Sequence, residues 1–282
     1  MRRRSIVAIL VLAVVFAGAV EATASSPARA PRVSAPKLAK RVPCSGCWHP
    51  ALRTSWQWQL QDPPAVSGIL DVQMYDIDAF DTPRSLVRTM HDRGMHVVCY
   101  ISAGTWENWR PDAKRFPAVV KGKPDGGWPG ERWLDIRRLD ILKPLMGDRI
   151  RLCARKGFDA VEFDNVDAYT NSGTGFPLTA ADQLRYNVFL ANAAHRRGLS
   201  AFLKNDLDQI PTLLPYFDAA LNEQCFQYDE CGKLSRFVRA GKPVFGVEYS
   251  LPVGSFCPKA NARNFNFLKK RLALGPWRIA CR

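Results

Sequence analysis

Beyond residue 20 the chain has no apolar run near the ~20 residues that a bilayer-spanning helix needs, so no membrane span is expected there. Histidine is scarce, with His49, His91, His96 and His195 only, and their spacing suits neither a metal site nor a triad. His91 and His195 stand beside arginines on helix-like stretches and read as solvated faces. Cys44-x-x-Cys47 lacks the second half that a zinc site requires. There is no glycine-rich dinucleotide fingerprint and no serine in a nucleophile elbow. These absences argue against a serine hydrolase, an open doubly wound sheet and a metal-dependent deacetylase; no cofactor and no metal is expected. Nucleic-acid-binding motifs are missing as well, so no nucleic-acid partner is expected.

What is present begins with Arg2, Arg3 and Arg4, an apolar run from Ile6 to Val20, and small residues at Ala22 and Ala24. This reads as a signal peptide over residues 1–24, which predicts export. Residues 25–43 are rich in proline and basic residues and read as a flexible leader. Residues 44–282 fit one domain, expected as a secreted monomer. Half of the net charge of +14 lies on residues 1–43, so the folded body is less basic than the whole chain. The eight cysteines of an exported protein imply disulfides. Cys225–Cys231 and Cys257–Cys281 are the preferred pairs; Cys99 and Cys153 either pair or stay buried and free.

From Ser55 onward, short apolar runs alternate with amphipathic stretches. Strands are predicted over 55–60, 72–78, 96–103, 159–165, 199–206, 218–224, 243–249 and 264–270, with helices over 85–94, 141–157 and 179–198. Thr179 reads as an N-cap. Repeated strand–helix–strand units imply parallel strands, and eight of them in a domain of this size favour a (β/α)8 TIM barrel, an α/β fold. The stretch from Gly104 to Asp140 breaks the rhythm. It holds Trp106, Trp109, Trp128 and Trp133 among prolines, and is expected to lie over the barrel mouth, with indoles able to stack on sugar rings and about half of them buried as packing.

The strand ends are acidic. In GFDAVEFDNVDAY, residues 157–169, the period of two puts Glu162 and Asp164 on one face, with Val161 and Phe163 on the other. Asp76, Asp78, Asp164, Asn165, Asp167, Asp206, Glu223 and Glu248 collect at the same end, with Tyr100, Tyr169 and Tyr249 nearby. Lys204 alone brings a cation to a strand end, and a salt bridge to Glu162 is expected. Acids and aromatic rings around a concave mouth suit carbohydrate, and two carboxyls can hydrolyse a glycosidic bond. An anionic polymer would call for arginines and lysines there, so a cationic polysaccharide is the better match.

The segments WQWQL, CYISAGTWENWRPDA, WPGERWLDIR, GFDAVEFDNVDAY, TGFPLTAADQLRYN, LKNDLDQI, LNEQCFQYDEC and AGKPVFGVEY together resemble glycoside hydrolase family 114, the endo-α-1,4-polygalactosaminidases. The resemblance spans roughly residues 55–282. It implies a (β/α)8 barrel that cleaves α-1,4-linked galactosamine polymers of microbial exopolysaccharide with retention of configuration. By position it implies Asp164 of DNVD as nucleophile and Glu223 of NEQC as general acid/base; Glu248, which also stands at a strand end, is the rival for the acid role. Phe163 departs from the family's usual residue. Substrate contacts are expected from Asp76, Asp78, Tyr100, Trp106, Asn165, Asp167, Tyr169, Lys204, Asp206, Glu248 and Tyr249. The competing reading is a non-catalytic, lectin-like barrel that only binds polysaccharide.

Overall fold

The computed structural model describes residues 36–282; the signal-peptide reading and most of the leader fall outside them. Eight parallel strands occur in chain order: β1 (Trp56–Gln59), β2 (Met74–Asp78), β3 (His96–Ser102), β4 (Ala160–Asp164), β5 (Ser200–Lys204), β6 (Ala219–Glu223), β7 (Val244–Glu248) and β8 (Asn266–Lys269). Each pairs with the next, and each falls within one predicted run. The outer layer is α1 (Arg84–Asp92), α2 (Leu139–Lys156), α3 (Ala180–His195), α4 (Ile210–Leu213), α5 (Ser235–Arg239) and α6 (Val253–Ala262). The fold is the expected (β/α)8 TIM barrel.

Local chemistry explains the helix ends. Thr179 and Asp182 exchange side-chain and backbone hydrogen bonds in a capping box that starts α3. Gly157 ends α2 with φ 91°, a left-handed cap that sends the chain directly into β4.

Strand alternation divides the core in two. Val97, Cys99, Val161, Phe163, Ala201 and Leu203 face the helices. Trp56, Trp58, Met74, Val98, Ala160, Phe202, Leu221, Phe245 and Leu268 fill the barrel interior. There Phe202 and Phe245 stack with centroids 5.6 Å apart. Gly246 is required on β7, because a Cβ would stand 2.2 Å from the Phe267 ring. Above this apolar plug the inward positions turn polar, which makes the plug the floor of the site.

No ladder joins β8 to β1 among the described residues, and the C-terminal segment spans that seam. Residues 279–280 add an antiparallel strand to β8, Leu60 N–H donates to Leu274 O at 3.0 Å, and Arg278 donates to Trp56 O at 2.7 Å. The disulfide Cys257–Cys281 ties this segment to α6. Cys225–Cys231 is also formed, Cys99–Cys153 joins β3 to α2, and Cys44–Cys47 completes the set. No helix among the described residues is long and apolar enough to cross a membrane.

Two sequence expectations change. The leader reading of residues 25–43 fails at its C-terminal end. Asn192 on α3 holds Val42 N–H and Lys40 O, at 2.8 and 3.0 Å, and Tyr216 donates to Ala39 O. His195, read as solvated, is buried, with one ring nitrogen 2.8 Å from Asp218 and the other 2.9 Å from Val42 O. The arginines that follow His195 lie past the helix end, so they report nothing about the face that His195 occupies.

Cys99–Cys153 closes a 54-residue separation across the long connection. Replacing both cysteines by alanine should lower stability by about 2–5 kcal/mol, measured as a fall in the urea midpoint at unchanged slope. No change would mean that packing alone holds α2 against β3.

Candidate active site

The period of two places Asp164, Lys204 and Glu223 at the C-terminal tips of three neighbouring strands, all aimed inward. Lys204 Nζ lies 2.8 Å from Asp164 Oδ1, 3.1 Å from Glu223 Oε2 and 3.3 Å from Glu162 Oε1, with Trp58 below it at 4.7 Å from Nζ to the ring centroid. The expected Lys204–Glu162 pair is therefore present. Tyr100 donates to Asp164 Oδ2 at 2.8 Å, Asn165 N–H donates to Asp164 Oδ1 at 2.9 Å, and the Tyr249 hydroxyl donates to Glu223 Oε1.

These contacts set the protonation states. Burial works against the ionised form of Asp164, but Lys204 and the Tyr100 and Asn165 donors outweigh it and hold the carboxyl below the usual range. Burial also disfavours the charged Lys204, yet the surrounding Asp164, Glu223 and Glu162 carboxylates raise it well above an ordinary lysine. One layer down, burial and then the proximity of Glu162 push Asp76 well up, while burial brings Glu162 to about 7. Those two carboxyls are thus a proton-holding pair beneath an ionised one.

The backbone after each tip is unusual. Asn165, Asn205, Asp206 and Gln224 all have positive φ, between 42° and 64°. Side chains hold these turns: Asn205 Oδ1 accepts from Glu223 N–H and from Asn222, both at 3.1 Å. Gly104 is forced, since a Cβ there would overlap Asn165 O at 1.6 Å. Strain concentrated at such positions is a feature of ligand and active sites.

The tips open into a cavity of about 890 Å³, near the upper end of the range for small-molecule sites. Ten of the residues singled out from sequence line it: Asp78, Tyr100, Asp164, Asn165, Asp167, Tyr169, Lys204, Asp206, Glu223 and Tyr249. Three do not. Asp76 is fully buried, two positions before the end of β2 and so one layer deeper. Glu248 has the parity opposite to the inward Phe245 and Val247; it is fully buried and accepts from Phe226 N–H at 2.8 Å. Trp106 donates its indole N–H to Ala113 O, under the ammonium of Lys121.

The connection from Gly104 to Asp140 contains a three-stranded antiparallel sheet, Thr105–Glu107, Lys121–Pro124 and Glu131–Leu134. It lies at the barrel mouth, as expected, and adds charged groups that the sequence reading missed. Trp109 and Trp128 are exposed at the cavity, whereas Trp133 is buried. Glu131 also lines it, and burial raises its carboxyl to about 7. Arg110 stands there as a second buried cation, bonded to Asp78 and Glu107. Arg149 backs it through Asp112 and Ser102 O. Lys204 is the strand-end cation of the cavity, and Arg110 neutralises Asp78 from a loop that strand-end counting does not reach. Ten acidic side chains still face three basic ones around the cavity. Among the described residues no cluster of His, Cys, Asp and Glu has metal-site geometry.

The model of glycoside-hydrolase family GH114 matches residues 39–282. The chain belongs to that family. It is a glycoside hydrolase, and the GH114 match includes the docked residues 39–43. It is 37% identical to the crystallised Ega3 of Aspergillus fumigatus, solved with galactosamine, covering 86% of this chain and 100% of that one at a TM-score of 0.80. The glycoside hydrolase domain of PelA from Pseudomonas aeruginosa shares the fold at 14% identity and a TM-score of 0.64, covering 80% of this chain and 98% of that domain. No curated protein matches the chain.

Removing the shared ammonium of this GH114 site should be severe. Lys204→Met is expected to lower kcat by about 10²–10³-fold. Because Lys204 favours ionised Asp164, its loss should also move the acid limb of the pH–rate profile to higher pH. A lower rate with an unmoved acid limb would show that Lys204 does not set that ionisation.

Proposed function

We propose that the chain is a secreted, endo-acting and retaining hydrolase of α-1,4-linked galactosamine polymers, with Asp164 as nucleophile and Glu223 as general acid/base. The observation that carries this reading is the sharing of one ammonium by both carboxylates. With Nζ 2.8 Å from one and 3.1 Å from the other, the nearest carboxylate oxygens cannot be more than about 6 Å apart. Retaining pairs stand ~5–5.5 Å apart, whereas inverting pairs need ~6.5–9.5 Å to admit a water.

In the first step ionised Asp164 attacks the anomeric carbon as the glycosidic C–O bond breaks, and Glu223, which has taken up a proton from solvent across the open cavity, delivers it to the leaving oxygen. The product is a glycosyl ester on Asp164 with Glu223 ionised. Glu223, now a carboxylate with Lys204 3.1 Å away, takes a proton from water in the second step. Water adds to the anomeric carbon, the ester C–O bond breaks, and both carboxyls return to their starting states.

The galactosamine polymer is supported by the similarity to Ega3, solved with galactosamine, and by the excess of carboxylates around the cavity. The cavity focuses negative potential on a protein of positive net charge, as capture of an ammonium-bearing chain requires. Exposed Trp109 and Trp128 offer flat faces for successive sugar rings. Four disulfides support residence in an oxidising, extracellular setting.

Wild-type protein incubated with polygalactosamine should release oligomers detectable by mass spectrometry. Asp164→Asn should slow release by at least ~10⁴-fold and Glu223→Gln by ~10²–10⁴-fold, both with polymer binding retained. Full release by either variant would remove the assigned pair; binding by wild type without any cleavage would favour the lectin-like alternative.

A further inference from the structure

The turn after β4 carries a chain of side-chain hydrogen bonds that no step above uses. Asn165, at φ 61°, follows Asp164 directly and gives its backbone N–H to Asp164 Oδ1. Its side-chain amide donates to Ser102 Oγ at 3.0 Å and reaches Thr105 Oγ1 at 3.4 Å. The Ser102 and Thr105 hydroxyls are hydrogen-bonded to each other, and Thr105 donates to Glu131 Oε2. Ser102 and Thr105 are fully buried, and Glu131 is 7% exposed at the cavity wall.

Donors and acceptors give this chain one direction. A hydroxyl has a single hydrogen, and that of Thr105 is committed to Glu131. Ser102 therefore donates to Thr105, and Asn165 donates to Ser102. The chain ends on the Glu131 carboxyl and needs it as an acceptor; without it the Thr105 hydroxyl turns back on Ser102, and the amide of Asn165 loses its fixed partner. We infer that Glu131 is a positioning residue for Asp164: through Thr105, Ser102 and Asn165 it fixes the left-handed turn whose N–H orients the carboxylate towards the anomeric carbon. This rests on the reading of Asp164 as nucleophile.

The backbone makes the turn depend on such a brace. Asp164 O accepts from the N–H groups of Ala103 and Gly104, at 2.9 and 3.0 Å, which pins the strand end itself. Asn165 lies just past that clamp in a conformation that costs energy for a residue other than glycine. Its side chain is held there by the chain that ends on Glu131. Glu131 and Thr105 come from paired strands of the small sheet over the mouth, Glu131–Leu134 and Thr105–Glu107. That sheet is thus joined to the nucleophile by side chains as well as by packing. A direct sugar contact, the other role open to a cavity-lining carboxyl, would make no demand on Thr105 or Ser102.

The test measures kcat, KM and their pH profiles on polygalactosamine for wild type, Thr105→Val, Glu131→Gln, Glu131→Ala and the combined Thr105→Val/Glu131→Ala variant. Thr105→Val keeps shape and charge and breaks only the chain. It is expected to lower kcat by about ten- to a hundredfold with little change in KM. It should also move the acid limb to higher pH, because Asn165 N–H is one of the donors that favour ionised Asp164. The other groups that act on Asp164, among them Lys204, Tyr100, Asp76, Glu162 and Asp167, are untouched by this change. Glu131→Ala should lose rate to the same extent, and the combined variant no more than either alone. Glu131→Gln, whose amide oxygen can still accept from Thr105, should recover most of the rate that Glu131→Ala loses. The position of the limb does not depend on how much of the protein is folded. An unmoved limb in Thr105→Val, losses that multiply in the combined variant, no recovery in Glu131→Gln, or a raised KM with intact kcat in Glu131→Ala overturns the positioning role and leaves the galactosaminidase reading intact. Full polymer release by Asp164→Asn removes the nucleophile assignment, and this inference with it.

Discussion

The site depends on one ammonium buried among carboxylates. Lys204 is almost without solvent exposure and touches Asp164, Glu223 and Glu162. Removing one member of such a buried network leaves an uncompensated charge, at a cost of ~3–5 kcal/mol. The cation therefore imposes an order on the acids. Asp164, bonded closely to it, stays ionised; Asp76, farther down and fully buried beside Glu162, keeps a proton.

The barrel makes this possible by layering. Aromatic and aliphatic side chains from alternate strand positions seal the lower interior, so water does not reach the network from below. The connection between β3 and α2 does the complementary work above. Its small sheet brings Trp109, Trp128, Glu131 and Arg110 to the mouth, and Arg149 on α2 fastens that loop through Asp112 and the carbonyl of Ser102. Cys99–Cys153 ties β3 to the same helix. Floor and rim are thus held by different forces, the first by apolar packing and the second by buried guanidinium–carboxylate pairs.

Charge is distributed against the protein's overall balance. The chain is strongly basic, yet acids outnumber bases around the cavity. Surface lysines and arginines on the helices are screened within about 10 Å at 0.1 M salt, whereas charges in a cleft with low-dielectric walls act on whatever enters it. The local field, and not the net charge, is what a polysaccharide meets.

Residue periodicity by itself determined the eight strands and their inward faces, because a period of two leaves Val161 and Phe163 no partner except the helices and turns Glu162 and Asp164 inward. The acidic tips were legible for the same reason. Glu248 could have been set aside on parity alone, since Phe245 and Val247 already claim the interior. Only the tertiary structure decided which acids meet, that Lys204 bridges two of them, and that Arg110 rather than solvent answers Asp78. Those contacts join residues tens of positions apart in the chain, and their energies depend on burial and distance, which no local pattern encodes. The docking of residues 39–42 on α3 is of that kind too: a polar, proline-rich segment reads as loose until Asn192 and His195 supply its backbone with partners.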